Sequence, residues 1–159
     1  MAKVNNPKNK SSGEDKSIYI GADHAGFRLK EYIKIYLSKT GYVPVDVGNE
    51  KYVPGDDYPD YAKKVATKVS ETGGRGIIIC DSGVGVCITA NKIKDIRAVN
   101  PTNTTVARMS REHNNTNILC LGQNYIRPLL AKKIINIWLE TEFSQEERHH
   151  RRVDIINRI

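Results

Sequence analysis

The chain has 159 residues, 39% hydrophobic and 27% charged, a balance that fits one globular domain and excludes collagen-like, coiled-coil and wholly disordered architectures. Its 25 Lys and Arg against 18 Asp and Glu leave a net charge of +7, but the basic residues are scattered and not interleaved with aromatics, so they do not build a base-stacking nucleic-acid surface. No stretch approaches the ~18 uninterrupted apolar residues of a membrane span, and the polar opening predicts no secretory signal; the expectation is a cytoplasmic protein that engages neither membrane nor nucleic acid.

Residues 1–16 carry only Ala2 and Val4 as apolar side chains beyond the initiator, which predicts a disordered tail ahead of a single domain at 17–159. Ser17 to Gly21 reads as a short strand. Phe27, Leu29, Tyr32, Ile33, Tyr36 and Leu37 then recur at helical spacing until Gly41. The alternation repeats: strand from Tyr42 to Val47, helix from Tyr58 to Ser70 with Tyr61, Ala62, Val65, Ala66 and Val69 inward, and apolar strand from Gly76 to Cys80. Next come a helix from Gly83 to Ile93, a strand from Ile96 to Asn100, a helix from Thr102 to His113, a strand from Asn117 to Gly122 and a helix from Ile126 to Leu139. A short amphipathic helix is predicted near the end, with Val153, Ile155, Ile156 and Ile159 placed to dock on a neighbour. Five apolar strands separated by helices predict an α/β fold, a parallel sheet covered on both faces, with ligands bound beyond the carboxyl ends of the strands.

Polar residues at those ends are therefore the candidates. In Cys80–Gly85 (CDSGVG) an apolar strand runs into glycines that can aim several N–H groups at one point, a site for an oxyanion or phosphate. Neither GxGxxG nor GxxxxGK[ST] is met. Cys80 would sit where a helix start favours a thiolate. Ser82 is either a helix N-cap or a reactive hydroxyl. The cysteines Cys80, Cys87 and Cys120 fit no disulfide framework and read as reduced thiols, the latter two structural. Asp23 and His24 stand side by side before a helix, where an N-cap is the plain reading of Asp23. His113 precedes an amide-rich run suited to a loop. Arg148 and Arg152, four apart on one helical face, could grip one phosphate or simply face solvent.

Taken together, GADHAGF at 21–27, DYPDYA at 57–62, CDSGVG at 80–85, ANKIKDIRAV at 90–99, SREHNNTN at 110–117 and ERHHRRV at 147–153 resemble the type B ribose-5-phosphate isomerases, in order from about Ser17 to the carboxyl end. The resemblance implies a Rossmann-like three-layer α/β/α sandwich with a five-stranded parallel sheet and a C-terminal helical extension. It also implies a homodimer whose active sites mix residues of both subunits, with a tetramer as a further assembly, and metal-free, cofactor-free interconversion of ribose 5-phosphate and ribulose 5-phosphate. By the same resemblance Cys80 is the base, Ser82 its helper, and the amides of Gly83, Val84 and Gly85 the oxyanion site. His113 with Asp23 is the ring-opening pair; His24, Tyr58, Asn114, Arg148 and Arg152 bind substrate. Two positions depart from the family pattern: Asp81, where many relatives carry glycine, and Asn124, where relatives often carry arginine. They predict an altered thiol environment and weaker phosphate binding. Within the same fold a hexose 6-phosphate isomerase is the alternative; a nucleotide or nucleic-acid module and an interaction-only role are the others.

Overall fold

The computed structural model describes residues 16–159. The predicted tail lies outside the described residues except for Lys16, whose carbonyl accepts the Val43 N–H at 3.0 Å and so already belongs to the domain's first strand pairing. The elements follow the βα rhythm: β1 (Ser17–Ala22), α1 (Phe27–Lys39), β2 (Val43–Asp46), α2 (Tyr58–Thr72), β3 (Arg75–Cys80), α3 (Val84–Ala90), β4 (Ala98–Val99), α4 (Thr104–Asn114), β5 (Ile118–Gly122), α5 (Pro128–Glu140) and α6 (Glu147–Ile156).

All strand pairs are parallel, in the order β2-β1-β3-β5-β4. Branched residues with both faces covered fill the central strands: Ile77, Ile78 and Ile79 of β3 and Ile118, Leu119 and Leu121 of β5 are fully buried. One face packs Leu29, Ile33 and Leu37 of α1 with Ala107 of α4 and Ile134, Ile135 and Trp138 of α5. The other packs Ala62, Val65, Ala66 and Val69 of α2 with Val86 and Ala90 of α3. The expected three-layer α/β/α sandwich is therefore present, and α6 lies against α4 as the C-terminal extension.

Several elements are trimmed at their ends relative to the sequence expectation, and α3 and β4 lose most. Helix α3 stops at Ala90, because the Asn91 side chain donates to the carbonyl of Ala98 and accepts the Ala98 N–H, turning the chain directly into β4. That strand is only two residues long, since Ile96 is spent in a turn to Ile93 and the Arg97 N–H goes to the Asn117 side chain at 2.8 Å.

Lys30 is fully buried on α1. Its ammonium lies 2.7 Å from the Asp46 carboxylate at the end of β2, also donates to the Asn49 carbonyl, and sits 5.0 Å from the centre of the Phe27 ring. Burial alone would push Asp46 up, but bonds from Lys30, Lys34 and the Gly48 N–H hold it below the ordinary 3.8. The stability it contributes is thus full above the ordinary carboxylate range and is lost as pH falls through the lowered folded value. Asp46→Ala leaves the Lys30 charge poorly compensated and is expected to cost about 3–5 kcal/mol in urea denaturation, whereas Lys30→Met, which removes that charge with most of its volume kept, costs distinctly less.

Candidate active site

The sheet reverses its winding between β1 and β3, so a crevice opens beyond their carboxyl ends. Ala22 is in register with Ile79, which sets Asp23 beside Cys80 across that crevice. Cys80 is 4% exposed, at the top of the apolar layer under α2 and α3, and its Sγ accepts the Gly83 N–H at 3.1 Å. An N–H aimed at the sulfur is placed to stabilise negative charge there. Gly83, with φ +80°, is the residue that caps α3, so Ser82 stands one position earlier than an N-cap and its hydroxyl accepts the Val84 N–H at 3.3 Å.

The loop is clamped on every side. A Cβ at Gly83 would fall 2.6 Å from the Asn100 side chain and 2.9 Å from the Leu121 backbone; one at Gly85 would fall 2.5 Å from the Tyr58 ring. Tyr58 thus lies directly on the loop. Asn100 donates to the Ser82 carbonyl at 3.2 Å. The Gln123 and Asn124 N–H groups donate to the carbonyls of Cys80 and Asp81 at 2.9 and 3.1 Å, and the Asn124 side chain donates to the Asp81 carboxylate. Asp81 and Asn124, the two positions expected to depart from the resemblance, are therefore bonded to each other. Deeper in the same layer, burial and the neighbouring Cys87 push the Cys120 thiol well above its ordinary value, while Cys120 holds Cys87 below its own.

Across the crevice Asp23 is 5% exposed and accepts the Gly26 N–H at 2.9 Å in the turn that leads into α1; it is not the N-cap, which is Gly26. Burial raises its carboxyl above 3.8. His24 is held at both ends by Asp56, whose Oδ1 lies 2.7 Å from the His24 N–H and 2.7 Å from its ring Nδ1. The Asn49 side chain braces the other Asp56 oxygen and accepts from the Tyr61 hydroxyl. Sequence reasoning missed Asp56, because its role depends on the loop from 47 to 57 folding back over β1. The adjacent acidic pair Asp56 and Asp57 before a helix was the available signal. Asp23, His24 and Asp56 form the one three-member group of metal-ligand chemistry among the described residues, with ligand atoms within 4.8 Å. Since His24 Nδ1 is already committed to Asp56, the group reads as a hydrogen-bonded His24–Asp56 pair with Asp23, bonded to the Gly26 N–H, beside it.

The other predicted site residues are elsewhere. Helix α4 runs back from the carboxyl ends of the strands, so His113 and Asn114 finish at the opposite edge, where the Asn114 carbonyl accepts from Arg97 just before β4. There His113 stacks on His149 of α6 with ring centres 4.4 Å apart and planes within 1°. Arg148 and Arg152 project from the same helix, both exposed. Within one chain His113 is therefore not beside Asp23: a helix that begins beside the crevice ends its own length away from it. The amide-rich run proves structural in part, with Asn115 in the left-handed region (φ 46°) ending α4. Arg75, Arg97 and Arg111 also gather at this edge but spend their guanidiniums on the carbonyls of Leu139, Asn115 and Thr116, and burial with the two neighbouring arginines lowers Arg111 to about 10. These three half-buried arginines are thus committed to main-chain carbonyls of their own chain.

The Asp56 bond raises His24 above its ordinary 6.5, so the imidazolium and its pairing are complete below that value and are lost as pH rises through the raised one. Asp56→Asn is expected to shift the His24 titration downward, followed by its ring-proton resonance. Gly83→Ala, with a left-handed backbone and main chain at 2.9 Å from the new Cβ, is expected to abolish turnover and lower the melting temperature by several degrees, read by calorimetry.

The family described as Ribose/Galactose Isomerase matches residues 18–156. A ribose-5-phosphate isomerase B of Mycobacterium tuberculosis is 37% identical over 140 residues, covering 87% of this chain and 86% of its own. The ribose-5-phosphate isomerase B of Clostridium thermocellum superimposes with a TM-score of 0.85 at 45% identity, over 89% of this chain and 95% of its own. That of Mycoplasma genitalium, solved with bound ribulose 5-phosphate, gives 0.85 at 38% identity over 89% and 94%. The fold thus agrees with the relatives along nearly the whole domain, and the chain belongs to the ribose/galactose isomerase family.

Proposed function

We propose that the protein interconverts ribose 5-phosphate and ribulose 5-phosphate by proton transfer through an enediolate, at two equivalent sites each shared between the subunits of a homodimer. The observation that carries the reading is the division of one chemistry between two edges. The strand-end crevice of a chain holds a thiol, a glycine loop, Asp23 and His24, while the cationic and imidazole groups that would hold a phosphate and open a sugar ring stand at the far edge of the same chain. A crevice bearing Asp23, Asp56 and Asp81 and an edge bearing Arg148 and Arg152 are complementary in charge, so a second copy can complete the first. Parallel strands make the two edges different surfaces, and a two-fold axis lets each copy offer both.

In this reading Arg148 and Arg152 of one subunit hold the phosphate and Asn114 a sugar hydroxyl. His113 takes the proton of the anomeric hydroxyl, Asp23 of the other subunit, its carboxyl raised by burial, delivers a proton to the ring oxygen, and the ring opens. Cys80 of the other subunit, as thiolate, removes the proton from C2 and returns it to C1, while Ser82 assists the proton move between O2 and O1. The loop amides through Gly85 stabilise the enediolate, worth about 3 kcal/mol per donor. Asp23, His24 and Tyr58 close the sugar pocket. The substrates named for the relatives favour the pentose phosphate over a hexose 6-phosphate. A thiol base requires a reducing compartment, which supports a cytoplasmic site of action for a chain with three unpaired cysteines. The domain at 17–159 carries all of these groups.

Purified protein is expected to equilibrate the two pentose phosphates, and Cys80→Ala to lose about a thousandfold in kcat. Cys80→Ala and His113→Ala chains, each inactive alone, are expected on unfolding and refolding together to regain about one quarter of wild-type activity, because half the dimers are mixed and each has one intact site of two. No recovery would place both groups in one chain's site and overturn the shared arrangement.

A further inference from the structure

Helix α6 is entered through Glu146, and one oxygen of that carboxylate faces two groups at once. Its Oε2 lies 2.6 Å from Nε of Arg148 and 4.0 Å from Nε2 of His149. The first contact is an ion pair between side chains each 58% exposed; the second is too long for a hydrogen bond. His149 is enclosed, 5% exposed and stacked on His113, and among the described residues its Nε2 is the buried side-chain polar atom without a hydrogen-bond partner. Buried polar atoms are nearly always paired, so an orphan with a carboxylate oxygen just out of reach marks a bond that another arrangement of the same groups makes.

We propose that Glu146 is a resident counter-ion of Arg148 which the substrate phosphate displaces, the freed carboxylate closing onto Nε2 of His149. The proposal rests on the reading of Arg148 as a phosphate ligand. Two anions compete for one guanidinium, so the phosphate must outbid Glu146, and the resting pair sets how tightly the phosphate is held. The displaced oxygen needs to travel about 1 Å to reach hydrogen-bond distance from the imidazole. Burial, with His113 and Arg148 nearby, holds His149 below its ordinary 6.5, so near neutral pH the ring is uncharged and donates from Nε2 when its proton sits there. The new bond fixes the His149 ring, and through the parallel stack it fixes His113 as the phosphate arrives. Glu146 and His149 are thus positioning residues, one acting through Arg148 and the other through His113.

The test uses the full chain in its native assembly, with inorganic phosphate as the probe, followed by calorimetry and by the nitrogen resonance of His149 Nε2. Glu146→Gln is expected to tighten phosphate binding about three- to tenfold and to lower KM for ribose 5-phosphate in proportion, the effect falling on KM more than on kcat. In wild type, phosphate is expected to shift the Nε2 resonance, and in the Glu146→Gln protein to leave it unmoved. His149→Phe, which keeps the stack, is expected to weaken phosphate binding in wild type and to have no effect in the Glu146→Gln background, a coupling that a purely structural role does not produce. Arg148→Ala separates the two readings. If it weakens phosphate while Glu146→Gln binds no tighter than wild type, the exchange is overturned and the phosphate site stands; if Arg148→Ala binds phosphate as wild type does, both fall. A wild-type Nε2 resonance indifferent to phosphate also overturns the exchange.

Discussion

Five strands pointing the same way impose a polarity on everything else in this molecule. Each strand delivers its last residue to one edge of the sheet and each returning helix delivers its last residue to the other, so chemistry at strand ends and chemistry at helix ends cannot meet inside a single chain. Cys80, Asp23 and His24 belong to the first set, His113 and Asn114 to the second, and α6 joins the second by packing on α4. The separation of the two sets within one chain thus follows from strand direction alone, before any side chain is considered.

What fixes the crevice is a layered set of supports rather than the groups that line it. The buried Lys30 ammonium ties α1 to the end of β2 through Asp46 and reaches the Asn49 carbonyl; Asn49 braces Asp56, and Asp56 holds His24 by ring and main chain. A charge inside an apolar layer is costly unless paired, and here the pairing runs from the core outward to a group at the mouth. On the other wall the glycine loop is wedged between Tyr58 and the exit of β5, where Gly122 lets the Ser82 backbone pass within reach. The groups at the mouth of the crevice are thus set on parts that are bonded and packed from beneath.

Much of this was legible in the sequence because period and punctuation agreed. The α2 stripe of Tyr61, Ala62, Val65, Ala66 and Val69 is buried as spaced, and the apolar β3 run leads into the loop as read. Burial of Lys30 was not legible, since a lysine between apolar helix positions ordinarily reads as solvated and only tertiary pairing with Asp46 reverses that. Asp56 was hidden for a related reason: its partner is 32 residues away in sequence. The shortness of β4 depended on the side chains of Asn91 and Asn117 replacing ladder bonds, which no hydrophobic pattern records. That His113 and Asp23 of one chain stand apart follows from helix direction, and the βα alternation already contained the reason.

The bond between Asp81 and Asn124, with the two main-chain bonds beside it, fastens the exits of β3 and β5 into one rigid body. Neither residue can then be exchanged on its own merits. An arginine at 124 facing Asp81 would be drawn into neutralising its neighbour rather than reaching outward, and a glycine at 81 would leave the amide of Asn124 to find water. The two positions are therefore coupled: substituting either one leaves the side chain of the other without its partner across the loop.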